Sequence, residues 1–187
     1  MKYLMMVALV AAMFVPAMAN AEEIKSGLQA GERIGAFYVT KVAGADEDGV
    51  EQGEQLCYRC RYGSRPMVMV FARDTGGKLN DLVKEIDSAV EANQEAELKG
   101  LVTLLGEDAS ALKETAAKVV KTSGAKMVPV TVAKDNVAGP GNYKIDPNAA
   151  VTIVVANESK VVMAKKFKKA DKLNVAAVMG TVKKMLN

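Results

Sequence analysis

Six consecutive apolar residues, Met67-Val68-Met69-Val70-Phe71-Ala72, constrain this chain more than any other stretch. Successive side chains of a strand point to opposite faces, so an unbroken apolar run needs cover on both sides. Such a run belongs in the middle of a sheet. The residues after it supply the cover in regular order. Beyond the polar loop Asp74-Thr75-Gly76-Gly77, the spacing of Leu79, Leu82, Val83, Ile86, Ala89 and Val90 predicts a helix over residues 79–92 with one apolar face. Leu101-Val102-Thr103-Leu104-Leu105 reads as a second buried strand. Asp108 or Ser110 can cap a second helix whose inner face is Leu112, Ala116, Val119 and Val120, and Gly124 ends it. Residues 128–132 form a third, shorter strand; Pro129 cannot donate to a ladder, which predicts a peripheral position. Residues 151–156 and 161–164 read as a hairpin around Asn157-Glu158-Ser159. A last helix is expected over residues 171–186, burying Leu173, Val175, Ala176, Val178, Met179, Val182 and Met185.

Helices that follow strands build a parallel sheet through right-handed crossovers, and a hairpin adds antiparallel strands. The order therefore predicts an α/β fold: a three-layer sandwich around a central mixed sheet, closed by the C-terminal hairpin and helix. Ahead of the central run, residues 37–42 read as an edge strand and residues 43–55 as a Gly- and acid-rich loop. Asp46-Glu47-Asp48-Gly49 lacks the EF-hand spacing and is read as a solvated loop. Val137-Ala138-Gly139-Pro140-Gly141 is a turn, without the Gly-x4-Gly-Lys spacing of a phosphate loop. Lys165-Lys166-Phe167-Lys168-Lys169, with Lys172, is a basic run read as a solvated edge before the last helix.

The first residues carry a different signal. Lys2 precedes an apolar stretch from Leu4 to Val15, then Pro16 and small residues. That is the pattern of a secretory signal peptide over residues 1–21, with cleavage after Ala19 or, preferred here, after Ala21. The stretch is short for a membrane span, so no stable membrane insertion is expected once it is cut. Residues 22–187 then make one domain, exported to a periplasm or secreted. No cysteine lies near the cut, which argues against a lipoprotein.

Charge and composition exclude several functions. The formal net charge is only +3, too weak to imply a nucleic-acid or membrane-surface partner. Histidine is absent, so no Ser-His-Asp or Cys-His catalytic arrangement exists, nor a zinc site of the Cys/His kind. Two cysteines alone cannot complete a four-sulfur site, and no cofactor is expected.

Those two cysteines, Cys57 and Cys60, stand in the Cys-x-x-Cys spacing just ahead of the central run. Three readings are open. An exported chain meets oxidising surroundings, so the pair can be a structural disulfide closing a tight loop. It can be a catalytic redox pair acting on thiol- or disulfide-bearing proteins or small thiols, with Cys57 attacking and Cys60 resolving. Arg59, Arg61 and Arg65 would then lower the thiol pKa. Third, two thiolates can hold a soft metal such as copper(I). The chain has 11 methionines, but Met67, Met69, Met163 and Met179 fall at core positions and count as packing. Oligomeric state is left open.

The order of elements resembles the thioredoxin-like superfamily, and in detail its peroxiredoxin branch of alkyl hydroperoxide reductases and thiol-specific antioxidant proteins. Gly31-Glu32-Arg33-Ile34-Gly35-Ala36-Phe37 resembles the opening Gly-Asp-x-x-Pro-x-Phe phrase of that branch. Met127-Val128-Pro129-Val130 is similar to its Phe-Pro-Leu segment, Tyr143-Lys144-Ile145 to its Tyr-Gly-Val, and residues 151–154 with Val161-Val162 to its closing hairpin. The resemblance spans residues 31–186. It implies a reactive cysteine after the central strand, at the start of the next helix. Here that place reads Arg73-Asp74-Thr75-Gly76-Gly77-Lys78-Leu79, and the position of the thioredoxin cis-proline falls near Val151. The usual peroxidatic cysteine is missing, and hydroperoxide reduction by the usual mechanism is not expected. Cys57 and Cys60 lie at the other end of the central strand, roughly 20 Å away at about 3.3 Å per residue.

Overall fold

The computed structural model describes residues 24, 25 and 27–187; the expected signal peptide lies outside them. In chain order the elements are β1 (Ile24–Lys25), β2 (Val39–Ala43), β3 (Gln55–Leu56), α1 (Tyr58–Tyr62), β4 (Met67–Ala72), α2 (Leu79–Ala92), β5 (Lys99–Leu104), α3 (Ala109–Ser123), β6 (Val130–Ala133), β7 (Val151–Asn157), β8 (Lys160–Phe167) and α4 (Val175–Leu186). Short 3-10 turns stand at Gly141–Tyr143 and Ala170–Lys172. Among the described residues the strands form one mixed sheet in the order β1-β8-β7-β4-β5-β6-β2-β3. β4 runs parallel to β5, and β5 to β6; β4 is antiparallel to β7, and β7 to β8.

The central strand sorts its six residues by the period of two. Val68, Val70 and Ala72 enter one core with Leu79, Leu82, Val83 and Ile86 of α2, Ala116 and Val119 of α3, and Val178 and Val182 of α4. Met67, Met69 and Phe71 enter a second core on the opposite face. The crossovers β4-α2-β5 and β5-α3-β6 step in the same direction across the sheet. Right-handedness therefore puts both helices on one face. The opposite layer is made of short pieces: the 28–37 segment, α1, and the turn that carries Tyr143. Phe37, Phe71 and Tyr143 pack there as a triangle with ring centres 5.0–5.5 Å apart.

The structure corrects four boundary readings. β6 is interior, between β5 and β2. Pro129 stands one residue before it and serves as an acceptor, its carbonyl taking the Val102 N–H at 3.1 Å, so the missing donor costs no ladder bond. β2 is covered on both sides, by β6 and by the two residues of β3, and is not an edge. The basic run is half strand. β8 continues to Phe167, and Lys166 pairs with Asp146. α4 begins only at Val175, where Asn174 Oδ1 accepts the Ala177 N–H, and Ala176 faces solvent.

The turn into β6 depends on a residue of α2. The Asp87 carboxylate is nearly buried and accepts the N–H groups of Lys126, Met127 and Val128 at 2.7–3.0 Å. Bonds to a charged acceptor are roughly twice as strong as neutral ones. Asp87→Asn keeps one carbonyl oxygen but turns a donor toward the Lys126 N–H. We expect it to lower unfolding free energy by about 1–2 kcal/mol in urea titration; a change below about 0.5 kcal/mol would mean that the turn holds without the charge.

Candidate functional site

The Cys-x-x-Cys stretch, expected to be a loop, forms the one-turn helix α1, and Cys57 and Cys60 are joined by a disulfide. Cys57 is the cap residue, with extended backbone (φ −106°, ψ 94°). Its Sγ accepts the Cys60 N–H at 3.1 Å, and its carbonyl accepts the Arg61 N–H at 3.0 Å. Gly63 ends the turn at φ +64°, a backbone state that glycine enters without a Cβ penalty. Its N–H reaches the carbonyls of Arg59 and Cys60 at 3.2 Å.

A helix this short does not hold itself together, so tertiary contacts must. Tyr58 and Tyr62, four apart, lie on its inner side with ring centres 5.5 Å apart. Tyr62 donates to the Gly100 carbonyl at 2.9 Å, tying α1 to β5. Tyr58 donates to Asp48 Oδ2 at 2.5 Å. Burial, together with the Asp48 contact, pushes the Tyr58 phenol pKa far up; burial does the same for Tyr62.

In the stretch read as a solvated loop, Asp46, Glu47 and Gly49 are exposed as expected, but Asp48 turns inward, and for it that reading is corrected. Its Oδ1 accepts from Lys41 Nζ at 2.7 Å and from the Val50 N–H at 2.8 Å. Lys41 is almost wholly buried and also donates to the carbonyls of Ala45 (2.8 Å) and Val50 (2.7 Å). A chain of contacts therefore runs from Lys41 of β2 through Asp48 to Tyr58, the residue beside Cys57. Sequence reading passed over Lys41, Tyr58 and Tyr62. The available signal for Lys41 was its phase, since Val39, Lys41 and Ala43 share the buried side of β2. A lysine in an apolar phase, followed at once by an acidic loop, has its partner close by.

The two sulfur-bearing residues differ in access. Cys57 is 9% exposed, whereas Cys60 lies at the surface. Two of the three arginines around them are engaged, while the buried Arg59 Nε has no hydrogen-bond partner. Arg61 donates to the Asp48 carbonyl at 2.8 Å, and Arg65 reaches Glu97 Oε1 at 2.8 Å as well as the Tyr62 carbonyl. The pair sits before β4, at the end of the sheet where the Pro66 carbonyl meets the Lys99 N–H.

Solved structures match the fold over most of the chain. The thioredoxin domain of a thiol-disulfide oxidoreductase from Bacteroides vulgatus aligns with a TM-score of 0.60 at 13% identity, covering 86% of this chain and 99% of that one. AhpC of Mycobacterium tuberculosis gives 0.61 at 8% identity, covering 86% and 99%. A cysteine-to-serine mutant of the peroxiredoxin 6 of Arenicola marina gives 0.61 at 13% identity, covering 85% and 74%. The fold is thioredoxin-like. No protein-family model and no curated protein sequence matches the chain.

In the thioredoxin-like frame, the place after the central strand is occupied by other contacts. Arg73 donates to the carbonyls of Val137 and Ala138, and Asp74 Oδ1 accepts the Gly76 N–H at 2.9 Å. Lys78 precedes α2 without a side-chain cap. The chain's only two thiol-bearing residues are thus both at the opposite end of β4. Met67 and Met69 are fully buried in the second core. No helix among the described residues is long and apolar enough to cross a membrane.

Proposed function

We propose that this chain is an exported thiol–disulfide exchange protein acting through Cys57 and Cys60 on thiol- or disulfide-bearing proteins or small thiols. The observation that carries the reading is the joined pair itself, formed across one helical turn with one member at the surface. A disulfide persists in an oxidising compartment, which agrees with the export pattern of residues 1–21. Thiol-disulfide oxidoreductases and peroxiredoxins among the structural neighbours share the fold. In the exchange, two electrons pass from a partner dithiol to the pair, and Cys57 and Cys60 each take one proton as the partner leaves as a disulfide. Run backwards, the reduced pair reduces a partner disulfide.

The test is the reduction potential of the pair. Protein equilibrated in graded glutathione buffers, alkylated and weighed intact, is expected to show a midpoint between about −120 and −270 mV, the span of working exchange proteins. A midpoint below about −300 mV marks a structural bond and overturns the reading. Cys57→Ser is expected to abolish disulfide-reductase activity.

A second reading, a structural disulfide in a catalytically silent interaction module, is favoured by one observation. Arg61 and Arg65, which would activate a thiol, already bind the Asp48 carbonyl and Glu97. Under it, Cys57→Ser changes stability alone.

A further inference from the structure

We infer that the two cysteines work in the reverse of the expected order: Cys60 is the sulfur that partners attack and are held on, and Cys57 is the buried leaving group. The inference rests on the exchange reading above and assigns roles within that site. Two independent features point the same way. The first is access. Cys57 is 9% exposed and flanked by the inward Tyr58, while Cys60 lies on the outer side of the turn. An incoming thiolate must approach a disulfide sulfur directly, so the reachable sulfur takes the new bond. The second is the leaving group. Cys57 Sγ accepts the Cys60 backbone N–H at 3.1 Å. A hydrogen bond to the charged form favours that form, and the sulfur that departs more readily as thiolate directs attack to the other one.

The step balances simply. A partner thiolate attacks Cys60 Sγ, a new sulfur–sulfur bond forms there, and the Cys57–Cys60 bond breaks with its electron pair going to Cys57 Sγ. A second thiol, from the same partner or another small thiol, then displaces Cys60. The partner leaves as a disulfide, and Cys60 and Cys57 are protonated. In the opposite direction the Cys60 thiolate attacks a partner disulfide, and Cys57 displaces the partner from Cys60.

The test locates the mixed disulfide. Oxidised wild-type protein is exposed briefly to reduced glutathione, quenched in acid, digested with pepsin and mapped by fragment ions. At least tenfold more glutathione is expected on Cys60 than on Cys57. The single variants make the comparison independent of a short-lived adduct. Cys57→Ser, which leaves Cys60, should take up glutathione from glutathione disulfide at least tenfold faster than Cys60→Ser, which leaves Cys57. Equal rates, or faster capture at Cys57, overturn the reversed order and leave the exchange reading standing. A wild-type pair that stays oxidised in excess dithiothreitol overturns the exchange reading, and this inference falls with it.

Discussion

Lys41→Met is expected to lower the unfolding free energy by about 3 kcal/mol, because removing one partner of a buried ion pair leaves the other uncompensated. Methionine matches the lysine stem in length and keeps the apolar packing. What disappears is the ammonium, which meets Asp48 Oδ1 and two carbonyls at 2.7–2.8 Å while almost wholly out of water. Asp48 keeps the Val50 N–H and the Tyr58 hydroxyl, and it is 21% exposed, so the loss stays at the lower end of the buried-pair range. Urea unfolding measures it. The same variant is expected to speed reduction of the Cys57–Cys60 bond by dithiothreitol severalfold, since Asp48 anchors Tyr58, the neighbour of Cys57. A double variant with Asp48→Asn should cost clearly less than the two singles together, as contacting residues do. A loss below about 1 kcal/mol in the single variant would show that the buried ammonium does not hold the loop.

The second large effect is alkaline unfolding. Tyr58, Tyr62 and Tyr143 are all buried, and burial is the main cause raising each phenol pKa above its ordinary value of about 10. Above that pH the unfolded chain releases these protons and the native protein keeps them. The native state then binds more protons, so stability falls as pH rises. It is fully present below about pH 10, and each phenol removes up to about 1.4 kcal/mol per pH unit above it. Ionisation would also delete the donors to Asp48, to the Gly100 carbonyl and to the Gly35 carbonyl. Phenolate absorbance tracked with circular dichroism should show these three groups ionising together with loss of structure, between about pH 10 and pH 12. Titration of every tyrosine to pH 12 with the circular dichroism unchanged would refute it. At the acid end, the Lys166 contact holds the Asp146 carboxyl below the usual range, so that pair is lost only as pH falls through the lowered value.

Much of this molecule is legible from local patterning. The run at residues 67–72 and the spacing from Leu79 to Val90 marked a central strand and its helix, and β4 and α2 have those limits. Gly124 ends α3 in the left-handed conformation, and Asp108 caps it, as short-range chemistry requires. These signals work because strand and helix periodicity are properties of neighbouring residues. The misplaced elements failed for the complementary reason. Pro129 argued for a peripheral strand, but what decides its place is which strand supplies the partners, and β5 and β2 are distant in sequence.

The site divides along the same line. Sequence alone determined that the only cysteines are Cys57 and Cys60, that no histidine can assist them, and that the place after the central strand holds no thiol. Only the tertiary structure decided that the stretch is a helix, that Cys57 faces inward and Cys60 outward, and that Lys41 and Asp48 hold the helix through Tyr58. A one-turn helix has too few internal bonds to form by itself. What holds it, and sets the exposure of each residue of the pair, are contacts from parts of the chain distant in sequence: Asp48 to Tyr58 and the Gly100 carbonyl to Tyr62.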